Sequence, residues 1–197
     1  MESYSKLDHQ PNFLNELPPP PVGKSRWPWT QDSESKGDQR AGPLPRVTVV
    51  TPSFNQAIFL EETIRSVLLQ DYPDLEYIVM DGGSSDGSVE IIKKYEKHLA
   101  YWTSEKDAGA SDAIRKGFER ATGSILAYLN SDDLYLPGAI HRLVNRLRSV
   151  KGDVVYGNTY WIDEETNVLS ERRQTPFSRL AYFYGGADLQ QIGRAHV

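Results

Sequence analysis

Short apolar runs alternate with segments of helical periodicity from Arg46 to about residue 156, and this alternation constrains the fold more than any other feature. The runs are rich in β-branched and aromatic residues, and they cover residues 47–50, 76–80, 100–103, 124–129 and 153–156. Between them, apolar side chains recur at intervals of three and four residues, beginning with a helix that ends at about Gln70. Strands linked by short helical crossovers form a mostly parallel sheet with helices on both faces, so we predict an α/β fold.

Two further patterns lie near the C-terminal end of this alternation and just beyond it. Residues 140–147 form an amphipathic helix after Pro137. Residues 159–163 and 168–172 are suited to pair as a hairpin across the turn at 164–167.

Residues 1–45 differ in composition from the rest of the chain. Residues 18–21 are four consecutive prolines, and residues 31–42 are almost wholly polar. Such a segment buries too little apolar surface to offset its ordering entropy, so we predict an extended or disordered leader before a domain at 46–191. Trp27 and Trp29 are exceptions, and they are expected to dock either on the domain or on a partner.

Charge and composition exclude several classes of protein. The 197 residues carry a net charge of −5, which argues against general nucleic-acid binding. The absence of cysteine excludes disulfides, thiolate metal sites and cysteine nucleophiles. No apolar run approaches the roughly 20 residues of a membrane-spanning helix, and residues 1–10 lack a signal-peptide core. The expected location is cytoplasmic, with peripheral association at a membrane face left open.

Four polar segments follow four of the predicted strands. They are residues 51–55, 81–87, 104–109 and 130–133. In open parallel sheets, ligands bind beyond the carboxyl ends of the strands, so the segments are expected to form one acidic cleft lined by glycine. Asp132 and Asp133 directly follow a buried strand, and paired carboxylates there are hard ligands suited to Mg²⁺ or Mn²⁺ and hence to a diphosphate. The alternative is a polar turn before a helix.

The second segment starts at Asp81, whose carboxylate is suited to accept hydrogen bonds from a base or a ribose. Asp86 is expected to cap the following helix. The loop lacks both the dinucleotide fingerprint and the P-loop motif. Arg115 and Lys116 either face a diphosphate or are solvated surface charges, and Asp112 is a candidate helix cap.

These motifs resemble those of family 2 glycosyltransferases. The resemblance rests on VTVVTPSFNQ at 47–56, EETIRSVLLQ at 61–70, YIVMDGGSSDGS at 77–88, SEKDAG at 104–109 and LNSDDLYLPG at 129–138. It covers residues 46–158 and is closest to the branch that acts on bacterial surface polysaccharides. It implies the Rossmann-like GT-A fold, a nucleotide-diphosphate sugar donor of the UDP-sugar type, a glycan or lipid-linked acceptor, and Mn²⁺ or Mg²⁺ as cofactor.

The resemblance also implies roles for individual residues. Pro52, Ser53 and Asp81 would lie around the nucleotide, and Asp107 near its base or ribose. Asp132 would lie at the metal and diphosphate, with Asp133 as a second metal ligand.

Two positions depart from the family pattern. Gly82 stands where many members have a second aspartate, and Asn130 replaces the first aspartate of the usual Asp-x-Asp motif. The loss of that charge would weaken the binding of a metal at the motif.

The catalytic base has no candidate in the matched region. Inverting transfer needs a base to deprotonate the acceptor hydroxyl, and in this family it is an acidic residue well downstream of the metal motif. That region would lie past Val197, so Asp163, Glu164, Glu165 and Asp188 are poor candidates.

Residues 192–197 fit nothing before them, and we expect the native sequence to end at about Gln191 with a non-native tail behind it. We therefore expect an inactive fragment that carries the donor half of the site. It should expose apolar surface around residues 182–184.

Two other functions would also use such a cleft. One is a nucleotide-sugar-binding module without catalysis. The other is a nucleotidyltransferase, but those enzymes usually carry a glycine-rich basic loop after the first strand, and residues 51–55 contain neither lysine nor arginine.

Overall fold

The computed structural model describes residues 13–31, 43–150, 153–163 and 166–173. Its centre is a four-stranded, wholly parallel sheet in the order β3-β2-β1-β4. The strands are β1 (Val47–Ser53), β2 (Leu75–Asp81), β3 (Tyr101–Ser104) and β4 (Ile125–Tyr128). The predicted parallel sheet is confirmed, and it brings the ends of all four strands to one edge.

Helices cover both faces of this sheet, as predicted. They are α1 (Ala57–Leu68), α2 (Ser88–Tyr95), α3 (Ala110–Arg120) and α4 (Ala139–Ser149). Helices α1, α2 and α4 contribute to the larger core, together with the side chains of Val49 and Val79. The opposite face, which carries Val50 and Ile78, packs against α3. Gly117 permits that close approach, because a Cβ there would overlap the side chain of Val50.

The predicted hairpin is present and the fifth predicted strand is not. Strands β5 (Thr159–Ile162) and β6 (Val168–Arg172) pair in antiparallel fashion. Residues 153–156 are irregular, because this segment pairs with no strand in the described part of the chain. Val155 is buried there while Val154 is exposed.

The described part of the leader packs against the domain. It begins with a short 3-10 helix, Phe13–Glu16, and it buries Leu17 and Trp29. The domain itself is therefore the docking site of the tryptophans. An extended or disordered leader does not describe residues 13–31, because buried apolar side chains and hydrogen bonds to the domain offset the ordering entropy.

Several predictions fall outside the described residues. These concern leader residues 1–12 and 32–42, the apolar surface at 182–184, the tail at 192–197, and the poor base candidates Glu164, Glu165 and Asp188. Within the described ranges, no helix combines the length and the apolar character needed to cross a membrane.

Candidate functional site

A cavity of about 650 Å³ lies at the carboxyl ends of the parallel strands. We call it the strand-end cavity. Its lining comes from all the predicted polar segments: Pro52, Ser53, Phe54, Gln56, Gly82, Gly83, Lys106, Asp107, Gly109, Ala110, Ala113, Asn130, Ser131 and Asp132. Four of the residues predicted to bind a nucleotide sugar are thus brought together, namely Pro52, Ser53, Asp107 and Asp132.

Ser53, the last residue of β1, supplies a polar atom without a partner. Its side chain is buried, and its Oγ has no hydrogen-bond partner among the described residues. Buried hydroxyls are nearly always hydrogen-bonded, so an orphaned one at a cavity wall is suited to bind a ligand. Next to it, Phe54 lines the same cavity although its ring is 60% exposed. An exposed aromatic face in a cavity can stack on a planar base or on a sugar.

Phe54, Lys106 and Ser131 lie in the predicted polar segments and Gln56 directly follows one, but no individual role was predicted from the sequence for these four lining residues. The exposure of Phe54 and the side-chain direction of Lys106 depend on the loop geometry, which residue types alone do not fix.

Asp81, the last residue of β2, is not in the lining of the strand-end cavity. It is 1% exposed, and it borders a neighbouring cavity of about 410 Å³ that shares Asp107 with the first. Its carboxylate accepts four hydrogen bonds, from Gly83 N, Ser84 N, Ser84 Oγ and Ser104 Oγ. These donors occupy most of the acceptor capacity of a carboxylate. Asp81 therefore fixes the glycine-rich loop, and it joins that loop to the end of β3.

The first two strand-end loops are tied to one another. Asn55 N donates to Ser84 Oγ at 2.8 Å. Asp86 accepts from Ala57 N at the start of α1 and from Ser88 N at the start of α2. Burial raises the pKa of Asp86, but hydrogen bonds from Ser88 and Ala57 outweigh it and bring the pKa below the usual value. The N-cap residue of α2 is Gly87, and Asp86 links two helix starts instead of capping one.

Asp107 and Gly82 fit closely against each other. The Oδ1 of Asp107 accepts a hydrogen bond from Gly109 N at 2.8 Å. A Cβ built on Gly82 would lie 3.0 Å from Asp107 Oδ2. The Asp107 carboxylate therefore occupies the space into which a side chain at position 82 would extend.

Of the two aspartates in the acidic segment after β4, residues 130–133, only Asp132 lines the strand-end cavity. Asp132 is exposed and lines the strand-end cavity, as does Asn130. Asp133 is not part of that lining, and its Oδ2 accepts a hydrogen bond from Asn130 Nδ2 at 3.1 Å. Asp132 is therefore the better placed of the two predicted metal ligands.

The donor set suits a divalent metal that takes part of its coordination from a ligand. Within the described residues, no three His, Cys, Asp or Glu side chains form a metal-binding group. Mg²⁺ sites commonly have one or two protein carboxylates, with substrate phosphates and water as the remaining ligands. Asp132, with the neighbouring Asn130 and Asp133, fits that pattern.

Helix α1 holds the acidic segment in place through buried polar side chains. The Oγ1 of Thr63 lies 2.8 Å from Ser131 O and 2.9 Å from Asp133 O. One turn further along, Ser66 Oγ accepts from Tyr135 N. The carbonyls on either side of Asp132 are thereby fixed relative to the helix.

Two basic residues of α3, Arg115 and Lys116, form ion pairs on the helix surface. Arg115 and Lys116 both pair with Asp112, with N–O distances of 2.8 and 2.7 Å. The hydrogen bonds from Lys116 and Arg115 hold the pKa of Asp112 well below its usual range. Neither basic residue lines the strand-end cavity, and Lys116 borders the neighbouring cavity at Asp81 instead. Their ion pairs with Asp112 favour the interpretation as surface charge.

Among curated proteins, the chain resembles bacterial glycosyltransferases. It is 43% identical over 94 residues to TuaG of Bacillus subtilis, provisionally named a teichuronic acid biosynthesis glycosyltransferase. It is 36% identical over 143 residues to an uncharacterised glycosyltransferase of Mycobacterium tuberculosis. It is 30% identical over 132 residues to the GalNAc(5)-diNAcBac-PP-undecaprenol beta-1,3-glucosyltransferase of Campylobacter jejuni. The matches cover 45%, 72% and 65% of this chain but only 36%, 54% and 42% of those proteins.

Solved structures confirm the GT-A fold. A mannosyltransferase from Pyrobaculum calidifontis, in complex with GDP-Man and Mn²⁺, matches with a TM-score of 0.54 and 27% identity. That match covers 68% of this chain and 39% of the other. TarS of S. aureus, in complex with UDP-GlcNAc, matches with a TM-score of 0.51 and 22% identity, over 55% of this chain and 33% of the other.

The family resemblance seen in the motifs is confirmed by a match over most of the chain. Residues 48–194 match the family described as glycosyl transferase family 2. This range contains the strand-end cavity and the whole parallel sheet except Val47, the first residue of β1. The chain belongs to glycosyl transferase family 2.

Proposed function

We propose that this chain carries the donor site of an inverting, metal-dependent glycosyltransferase that uses a nucleotide-diphosphate sugar, with uridine as the nucleoside. The strand-end cavity carries the proposal. It joins an orphaned buried hydroxyl at Ser53, an exposed ring at Phe54 and a carboxylate at Asp132 in about 650 Å³. A cavity of this size, with few convergent polar groups, is typical of a site for a small ligand.

Each group has a role in binding the donor. Asp107 accepts hydrogen bonds from the base or ribose, and Ser53 Oγ donates to an oxygen of the nucleotide. Lys106 lines the same cavity, and its ammonium group is suited to approach the diphosphate. Asp81 acts through the loop that it anchors, since its carboxylate already binds four protein donors.

Mn²⁺ or Mg²⁺, held by Asp132 with Asp133 or Asn130 nearby, would offset the charge that develops on the departing diphosphate. The acceptor is a glycan or a lipid-linked saccharide of surface polysaccharide synthesis, as the names of the Bacillus and Campylobacter relatives suggest. A lipid-linked acceptor would bring the protein to the cytoplasmic face of a membrane as a peripheral protein.

Two alternatives make different predictions. A non-catalytic module would bind the donor and transfer no sugar from it. A nucleotidyltransferase would form a nucleotide sugar from a nucleoside triphosphate and a sugar phosphate. Residues 51–55 contain no lysine or arginine, so they do not form the basic phosphate-binding loop that a nucleotidyltransferase usually carries.

Titration calorimetry with UDP tests the site. We expect tighter binding with Mn²⁺ than with EDTA, and we expect Asp132→Asn to remove most of that difference. Asp133→Asn is the matched control, because Asp133 lies outside the lining of the strand-end cavity. It should retain more of the metal dependence. Equal UDP affinity with Mn²⁺ and with EDTA would contradict the metal-dependent donor site.

A further inference from the structure

A second cavity, of about 600 Å³, lies beside the strand-end cavity. We call it the arginine cavity. Its walls are the leader at residues 26–31, helix α4 and the hairpin of β5 and β6. Asp132 lines both cavities, so a ligand in the arginine cavity would lie next to whatever the strand-end cavity holds.

Arginine side chains give this cavity its chemistry. Arg26, Arg142 and Arg146 line it, with Asp132 and Asp133 as the acidic members of the lining. Arg142 and Arg146 are four residues apart on α4, so they lie on one face of the helix. Arg142 donates to Pro137 O, and none of the three arginines belongs to an ion pair within the described ranges. In a chain of net charge −5, three unpaired arginines at one cavity indicate an anionic ligand.

Aromatic side chains complete the lining. Trp27 is half-buried, and its Nε1 donates to Tyr135 O at 2.8 Å, which fixes the ring beside the acidic segment. Trp161 on β5 lines the same cavity and is 48% exposed. Tyr156 and Tyr160 lie nearby in the lining. Flat aromatic faces next to charged groups suit a ligand with both apolar C–H faces and an anionic group, and a charged sugar has both.

We propose that the arginine cavity binds the acceptor, and that the acceptor is an anionic saccharide whose phosphate or carboxylate group contacts Arg146 and Arg26. This inference rests on the proposed function, because it takes the strand-end cavity as the donor site. Transfer requires the acceptor hydroxyl to reach the anomeric carbon beside the donor diphosphate. A ligand bounded by Asp132 on one side meets that requirement.

The binding test uses three probes of one sugar series: glucose 1-phosphate, glucuronic acid and methyl glucoside. Their affinities are measured by amide chemical shifts in NMR, with UDP and Mn²⁺ present at saturating concentration to occupy the strand-end cavity. We expect an anionic probe to bind more tightly than methyl glucoside. The better of the two anionic probes identifies phosphate or carboxylate as the recognised group.

Arg146→Ala and Arg148→Ala form the matched pair of variants. Both residues are exposed on α4, but Arg148 is not in the lining of the cavity. Arg146→Ala should weaken the anionic probe about fivefold, as expected for loss of an exposed charge contact worth about 1 kcal/mol. Arg148→Ala should change it less than twofold. Arg26→Asn, which suits the positive φ of 66° at that position, should act like Arg146→Ala.

Three results would overturn the inference. One is equal affinity for methyl glucoside and both anionic probes. Another is equal weakening by the Arg146 and Arg148 variants, which would indicate general surface charge. The third is a probe that binds only in the absence of UDP and whose affinity is unchanged by Arg146→Ala. Such a probe would occupy the strand-end cavity. If UDP itself fails to bind, the assignment of the strand-end cavity as the donor site is wrong. The effect of Arg146→Ala on probe affinity would still test whether the arginine cavity binds an anion.

Discussion

Asp107 and Gly82 lie against each other in the lining of the strand-end cavity. A Cβ on Gly82 would meet the Asp107 carboxylate at 3.0 Å, so acidic side chains at both positions would compete for one space. The resemblance in motifs implies an aspartate at position 82, and the Asp107 carboxylate occupies the space that such a side chain would enter. The sequence showed the glycine as a departure, but only the fold shows which side chain fills the space beside it.

Substitutions at Gly82 and Asp107 test whether the position of the Asp107 carboxylate matters for UDP binding. Gly82→Ala should push Asp107 aside and weaken UDP binding about fivefold, equivalent to about 1 kcal/mol, with little change in the thermal midpoint. Gly157→Ala, where a Cβ meets nothing within 4 Å, is the control. Gly82→Asp combined with Asp107→Ala should bind UDP better than Gly82→Asp alone. Unchanged affinity in a folded Gly82→Ala variant would rule out a role for the Asp107 position.

Asp81 shows a limit of reasoning from residue types. An aspartate at the end of a strand before a glycine-rich loop is suited to bind a nucleotide, and that role of Asp81 stays a prediction. Its donors include Ser104, which lies 23 positions away at the end of β3. Strand order decides which hydroxyl meets this carboxylate, and that order is not visible in the local sequence.

At the scale of elements, α1 differs most from its sequence pattern. Its apolar residues predicted an ordinary amphipathic helix, and the strands and helices around the sheet were predicted well for the same reason. However, Glu62, Thr63, Arg65 and Ser66 are also buried. Polar residues at these spacings resemble a solvent face in sequence. In the fold, the leader covers one side of α1 and the acidic segment covers another.

Thr63 provides a test of how α1 positions the metal ligand. Thr63→Val keeps the shape of the side chain but removes the hydroxyl that meets Ser131 O and Asp133 O. We expect a loss of about 1–3 kcal/mol in the free energy of unfolding, with a smaller effect of Mn²⁺ on UDP affinity. Chemical denaturation and calorimetry measure the two quantities.

Ser66→Ala is the control for that variant, because it removes the contact to Tyr135 N and leaves the carbonyls beside Asp132 bonded. It should lower stability and preserve the Mn²⁺ dependence. If Thr63→Val lowers stability while keeping the full Mn²⁺ dependence, α1 supports the segment without positioning its ligand.

For the molecule as a whole, the leader and the domain share one buried polar network. Arg65 is 1% exposed, and it donates to the carbonyls of Pro18, Pro28 and Trp29 and to Tyr95 Oη. Glu62 accepts from Lys24 and from the indole of Trp29. Composition predicted an extended or disordered leader because it counts residue types. Composition carries no information on tertiary contacts, such as the hydrogen bonds from the buried Arg65 on α1 to carbonyls of the leader.

Removing the leader should therefore destabilise the domain through Arg65. Deletion of residues 1–31 takes away three carbonyl acceptors of Arg65 and the apolar burial of Leu17 and Trp29, so we expect a loss of at least about 3 kcal/mol in the free energy of unfolding. Arg65→Met should cost stability in the full chain but much less after the deletion, giving a coupling energy of about 1–3 kcal/mol. Lys94→Ala, which breaks a partly exposed pair with Glu61, should cost about 1 kcal/mol or less in both backgrounds. Denaturant unfolding of the four combinations measures the coupling, and strictly additive losses would show that Arg65 does not hold the leader to the domain.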